Sequence, residues 1–365
     1  MQGICKVRLR VSTVILFSRH EREIWSAHRM TQNCWKISAL ALFGCLVTAC
    51  QKPTSSANKT PEFAFVTNGV ASFWDICKVG AEKAGTDLGV KVSVLMPASG
   101  VVDQKQMIED MVIRGIDGIA VSPIDPDNQL EVLNKAAASA KLITVDADAP
   151  NAKRLMYLGM DNYKAGRMAG QLVKEAMPQG GSVAIFVGRI EQDNARLRRQ
   201  GLIDELLDRS PDPKRFDEPG AVIDGGRFKI LGTLIDQFDR AKAKTYVEDT
   251  ITRTPDVGCM VGLFAYNPPI ILEALGRMNQ LGKVKVVAFD EADETLEGVM
   301  AGHVHGTVVQ NPYEYGYQSI KLLKSIAAGD NSVIPESGFI DIPARMIRRD
   351  EVEAYRKDLN EKLGK

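Results

Sequence analysis

EFAFVTNGVASFWDICKVGAEKAGTDLG, residues 62–89, holds the alternation from which the fold is read. Its first six residues are β-branched and aromatic, as a buried strand requires, and they stop at Asn68-Gly69. A helical pattern follows, and it opens on two adjacent large aromatics, Phe73 and Trp74. Adjacent residues do not share one helix stripe. Either both rings find separate places in a core, or one is held at a strand end for a ligand to stack on.

Outward from this stretch the same alternation continues. Strand patterns KVSVLM, DGIAV and LITV follow, with helical patterns between them. After Asn162, residues Ala165, Met168, Ala169, Leu172, Val173 and Ala176 fall at the spacing of one buried helix stripe. A second series then begins: SVAIFV, GAVID, CMVGLF, VKVVAF and GTVVQ, with helices expected at 194–208, 239–253, 267–279 and 312–328. Between SPDPKRFDEPG and GTLIDQFDR the pattern breaks, and an irregular loop is expected there. Strands alternating with amphipathic helices predict α/β architecture: two doubly wound lobes, each a parallel sheet covered on both faces.

In such sheets ligands collect at the carboxyl ends of the strands. Those positions are polar here: Asn68 after the first strand, Asp146-Ala147-Asp148 after LITV, Asn267 after CMVGLFAY, Asp290 after VKVVAF and Gln310 after GTVV. Two lobes facing each other would line a cleft with carboxylates and amides.

The chain has 365 residues, enough for two domains, and Lys+Arg equals Asp+Glu at 46 each. That balance gives no reason to expect nucleic acid or an anionic surface as partner. From Met30 a Lys, the apolar run Ile37–Val47 and the small residues before Cys50 have the order of a secretion signal. The apolar run is too short to span a bilayer. Val47-Thr48-Ala49-Cys50 resembles a bacterial lipoprotein signal, with lipid carried on Cys50; the alternative is an ordinary signal with a stray Cys. Residues 1–49 are therefore expected to be the signal region, with the true start at Met30, and 50–60 a tether. Cys77 and Cys259 sit in apolar patterns and are expected to be small buried hydrophobes.

Enzymatic motifs fail on spacing. No G-x-S-x-G and no G-x-G-x-x-G after the first strand is present, and GRMNQLGK at Gly276 has the wrong spacing for a phosphate loop. His303 and His305 would share a strand face but have no acidic or Cys partner at ligand spacing, so no metal and no cofactor is expected. Asp146 and Asp290 allow three roles: acid and base, helix caps, or acceptors for the hydroxyls of a neutral polyol. A sugar site needs carboxylates, amides, a guanidinium fork and an aromatic face. In QDNARLRRQG, Arg196 is the arginine nearest the strand end and is expected in the site, with Arg198 structural.

These residues resemble the periplasmic sugar-binding proteins of ribose and galactose type, solute receptors of ABC importers. The resemblance runs from Phe63 to about Arg345: VTNGVASFWDICKVGAEKAGTDLG, RGIDGIAVSPIDPDNQLEVLNKAA, LITVDADAP, LGMDNYKAGRMAG, NARLRRQG, YNPPIILEAL, VVAFDEADET and GTVVQNPYEYGYQSI follow the family's motifs in order. It implies Phe73 and Trp74 stacking on the sugar, Thr67 or Asn68 bonding it, Asp146, Arg196, Asn267, Asp290 and Gln310 as the hydroxyl-binding set, and Phe238 as a second-lobe aromatic. Where many ribose binders carry Arg after the first-lobe Asp, this chain has Ala147 and then Asp148, a change expected to alter the sugar selected. The family further implies a three-strand hinge near 160, 310 and 340. The first lobe would comprise 61–160 plus 312–340, and the second 161–311 plus 341–365. A lipid-anchored monomer is expected, binding a sugar and delivering it to an ABC permease, without catalysis. A receptor presenting sugar to a membrane kinase or chemoreceptor, and an enzyme acting on sugars, are the alternatives. Lac-repressor-type regulators share the fold but begin with a DNA-binding helix-turn-helix, where a lipid signal is expected in this chain.

Overall fold

The computed structural model describes residues 59–364, so the expected signal region, Cys50 and all but the end of the expected tether lie outside the described residues. The first half of the chain runs β1 (Glu62–Val66), α1 (Ser72–Leu88), β2 (Lys91–Leu95), α2 (Val101–Ile113), β3 (Gly118–Val121), α3 (Leu130–Ser139), β4 (Lys141–Val145) and β5 (Tyr157–Gly159). The second series is α4 (Asn162–Ala176), β6 (Gly181–Val187), α5 (Asp193–Leu206), β7 (Ile223–Asp224), β8 (Phe228–Ile235), α6 (Arg240–Arg253), β9 (Cys259–Gly262), α7 (Asn267–Arg277), β10 (Lys285–Phe289), α8 (Asp293–Ala301) and β11 (Gly306–Val309). Then come α9 (Pro312–Ala327), β12 (Phe339–Asp341), β13 (Arg345–Ile347) and α10 (Val352–Leu363).

Two sheets result, ordered β12-β5-β4-β3-β1-β2 and β13-β11-β10-β9-β6-β8-β7. All pairings are parallel except the antiparallel edge strands β13 on β11 and β7 on β8. The two doubly wound lobes expected from the alternation are thus present. Sheet membership changes between β5 and α4, between β11 and α9, and between β12 and β13, because α9 packs on β1, β3 and β4 while α4 packs on β10, β11 and β13.

Strand alternation sorts the core. Phe63 and Phe65 face α1 and α9 in a cluster with Tyr315, whereas Ala64 and Val66 join Ile108 and Leu133 under α2 and α3. In the second lobe Val183, Ile185 and Val187 pack with Leu172 and Leu202, while Ala184 and Phe186 pack with Val247 and Ile271 on the other face. Burial on both faces is why β1 reads as a continuous apolar run. Helix boundaries follow local chemistry. The Asp161 side chain accepts from the Lys164 N–H at 3.0 Å to start α4, and Pro312 opens α9 behind an Asn311 cap. Gly89 closes α1 in the left-handed region at φ 64°.

One expectation is corrected. The segment expected as an irregular loop contains the first half of β8, an eight-residue strand beside β6. Its register shifts against β6 between Val183 and Ile185, opposite Gly232 at φ 122°, so the strand bulges and its alternation is interrupted. Cys77 and Cys259 are buried free thiols, as expected.

Candidate functional site

Asp146 directly follows β4 and Asp290 directly follows β10, and each takes a positive φ, 61° and 65°. Non-glycine residues seldom adopt that conformation, and it aims these side chains out of their sheets. Neither caps a helix: Ala292 stands at the N-terminus of α8. Both carboxylates are buried, and one guanidinium, that of Arg198 on α5, lowers the pKa of both by its charge. Arg198 Nη2 is 3.7 Å from Asp146 Oδ1. Its Nε donates to Asn162 Oδ1 at 2.9 Å and its Nη1 to the Leu263 carbonyl at 3.1 Å. The rings of Phe264 and Phe289 enclose it, with centroids 5.4 and 5.0 Å from Cζ.

Burial pushes the Asp146 carboxyl up to about 6, against the lowering pull of Arg198; the charge of Asp290 adds to the rise. Ser122 Oγ donates to Asp146 Oδ2 at 3.2 Å, and the Tyr157 hydroxyl donates to the Asp146 carbonyl at 2.8 Å. Burial likewise raises Asp290, offset by Arg198 and by Gln310, whose Nε2 donates to Oδ1 at 2.8 Å. Gln310 in turn accepts from the Tyr315 hydroxyl at 3.0 Å. Among the described residues, Arg198 Nη2 and the side-chain oxygen of Gln192 are buried atoms that lack any hydrogen-bond partner. Gln192 precedes α5 and donates across the lobes, through Nε2, to the Ile124 carbonyl at 3.2 Å. Unsatisfied buried polar atoms are rare in native folds and mark where a polar ligand would complete the network.

On the first-lobe side, Asn68 joins the same network. Its Nδ2 donates to Ser122 Oγ and its Oδ1 accepts from Trp74 Nε1, both at 3.1 Å. Thr67 is committed within its turn, Oγ1 donating to the Gly69 carbonyl at 2.7 Å. Phe73 and Trp74 are both buried, edge to face with centroids 4.9 Å apart. They avoid competing for one place because Phe73 turns toward Tyr315 and Trp74 toward Phe65 and Asn68. On the second-lobe side Phe238 is 37% exposed and leans on Phe264 and Tyr266, with centroids 5.5 and 5.8 Å away. Asn267 donates to Asp236 Oδ2 at 3.1 Å.

Two expected residues are placed elsewhere. Arg196 points to the outside of α5, pairing with Asp193 at 2.6 Å and donating to the Pro213 carbonyl. Residues two apart on a helix are about 200° apart, so only one of Arg196 and Arg198 can face the cleft, and it is Arg198. Asp148 is held by Arg154 through two hydrogen bonds, at 2.5 and 2.6 Å, and also accepts from the Thr144 hydroxyl. It borders a cavity of about 240 Å³ with Tyr157, Asp161, Asn162 and Phe339, and its own hydrogen bonds run to Arg154 and Thr144 and not to the partners of the Asp146 carboxylate. His305 faces Glu175 at 3.5 Å. Ser122, Asn162, Gln192 and Asp236 were not foreseen. Ser122 was legible as the polar residue after DGIAV, whereas Asp236 follows the strand whose bulge hid it.

The family model for the periplasmic binding protein domain matches residues 63–331. The ribose import binding protein RbsB of Bacillus subtilis is 26% identical over 305 residues, covering 80% of this chain and 92% of that protein. The D-allose-binding periplasmic protein of Escherichia coli is 25% identical over 297 residues, covering 77% and 89%. Among solved structures, an ABC transporter solute-binding protein of Burkholderia graminis in complex with D-arabinose superposes with a TM-score of 0.73 at 27% identity, covering 81% of this chain and 98% of that one.

Proposed function

The chain belongs to the periplasmic binding protein domain family, as a type I sugar-binding protein and not an enzyme, and on that premise we propose that it is the substrate-binding component of an ABC importer. It takes a monosaccharide or related polyol into the cleft between the lobes and delivers it to a membrane permease. One observation carries the ligand class: buried carboxylates at two strand ends share the field of one guanidinium, whose Nη2 has no hydrogen-bond partner among the described residues, and the buried Gln192 oxygen on the same helix entry lacks one too. Vicinal hydroxyls, which donate to carboxylates and accept from guanidinium, supply the missing partners. Asn68, Asn267, Gln310 and the rings of Phe73, Trp74 and Phe238 complete the site in this reading. Contacts to both lobes hold the closed form once sugar is bound. The protein works at the cell envelope, anchored by lipid on Cys50.

A thermal-shift series with D-ribose, D-allose, D-xylose and D-arabinose tests the ligand class, since a ligand that binds only the folded state raises the melting temperature. At least one sugar is expected to do so, and Asp290→Ala to abolish the shift while remaining folded. No shift with any of the four, or an unchanged shift in Asp290→Ala, refutes the site. The anchor is checked in cells: Cys50→Ser should move the protein from the membrane to the soluble fraction.

A further inference from the structure

Asp236 directly follows β8, and its side chain is completely buried. Three donors from two stretches of chain converge on it. The Tyr266 hydroxyl and the Phe238 N–H, the latter at 2.8 Å, reach Oδ1, and Asn267 Nδ2 reaches Oδ2 at 3.1 Å. The other end of the Asn267 amide is committed too, because its oxygen accepts from the Phe264 N–H at 3.2 Å. Turned over, that amide would set its oxygen against a carboxylate and its nitrogen against another N–H. Both contacts therefore fix the same orientation. What is left to Asn267 is its second N–H, which finds no acceptor among the described residues.

The same carboxylate holds the Phe238 N–H where the main chain passes through φ 61° at Gln237 and 64° at Phe238. Two consecutive non-glycine residues in the left-handed region require such an external hold. The outcome is a Phe238 ring fixed edge-on to Phe264 while still partly open to solvent.

We propose that Asp236 is the positioning residue of the second-lobe half of the site: through it Asn267 meets the ligand as a hydrogen-bond donor and Phe238 meets it as a ring face. The ligand is thereby specified as a sugar that places a hydroxyl oxygen, acting as acceptor, opposite Asn267. This deepens the reading given under Proposed function and rests on it.

Asp236→Asn keeps the shape and the acceptor for Tyr266 and Phe238 but turns an N–H toward Asn267, so two donors oppose each other. In nitrogen-correlated NMR of the full chain, the Asn267 side-chain pair is assigned by its disappearance in Asn267→Ser. In the wild type one proton of that pair should lie downfield, bonded to a carboxylate, and in Asp236→Asn it should move. By calorimetry, whichever of D-ribose, D-allose, D-xylose and D-arabinose binds the wild type most tightly should bind Asp236→Asn at least about 10-fold more weakly. A purely structural role would lower the melting temperature without shifting the Asn267 pair selectively. Affinity within about twofold of wild type, or an unmoved Asn267 pair, overturns the proposal. If the wild type binds none of the four sugars, the functional reading fails, while the NMR comparison still decides whether Asp236 orients Asn267. Should Asp236→Asn not fold, the wild-type pair decides alone, and two equivalent, water-like proton shifts overturn the assignment.

Discussion

Arg198 gathers in one side chain what a polar ligand needs from a protein: a charge held in place by its neighbours and one nitrogen with no hydrogen-bond acceptor among the described residues. Its fork is used in three directions, toward Asn162, Leu263 and Asp146, and its faces are covered by Phe264 and Phe289. A lysine would keep the charge and lose the fork and the stacking. Arg198→Lys is accordingly expected to weaken sugar binding by about 100-fold in calorimetry. Arg196→Ala should leave affinity within about twofold, because the Arg196–Asp193 pair is a partly exposed surface contact. The reverse ranking would return the role to Arg196. NARLRRQG shows that an arginine enters the cleft, but which one depends on the rotation of α5 about its axis. That rotation is set by α4, Asn162 and the two aromatic rings, none of them neighbours in sequence.

At the level of elements, the helices that bear the site are seated by glycines. A Cβ on Gly166 of α4 would strike the Arg198 carbonyl, and one on Gly201 of α5 would strike the Tyr163 carbonyl. The first lobe repeats the device, with Gly80 of α1 against Tyr313 and Gly316 of α9 against Cys77. Backbone thus meets backbone where the helix carrying Arg198, and the helix carrying Phe73 and Trp74, settle onto their partners. Gly166→Ala should destabilise the protein by about 1–3 kcal/mol, through overpacking, and displace Arg198 so that sugar affinity also falls. Gly276→Ala on α7, where a Cβ meets nothing within 4 Å, should instead be neutral or stabilise by up to about 1 kcal/mol. Equal melting temperatures for Gly166→Ala and wild type would show that the close approach imposes no constraint. Most helix positions were legible from period alone, α8 and α10 excepted; these contacts were not, since a glycine in a helical pattern does not reveal what lies opposite.

The whole molecule carries an electrostatic imbalance at its centre. Asp146, Asp290 and Glu291 are all buried, and Arg198 is the cation among them. Among the described residues the Glu291 carboxylate accepts from the Tyr355 hydroxyl alone, at 3.4 Å, and burial together with the charge of Asp290 raises its carboxyl well above the ordinary value of 4.5. A group whose folded-state value is raised binds its proton more tightly in the native chain. Its contribution to stability is therefore complete below about pH 4.5 and is lost as pH rises through the folded value. Glu291→Gln should unfold at a temperature higher than wild type by about 2 °C or more at pH 8, with the difference vanishing by pH 4. A constant difference across that range would mean Glu291 does not titrate as described. What the sequence by itself determined was the alternation of strand and helix, the two lobes and the polar strand ends, because periodicity and strand-end chemistry are local properties. What only the tertiary structure decided was which polar groups meet: Arg198 in place of Arg196, Asp148 spent on Arg154, Asp236 disclosed behind a bulged strand, and Glu291 buried beside Asp290. Each of those outcomes depends on partners brought from distant parts of the chain, and pairing at a distance is set by packing, which no window of sequence contains.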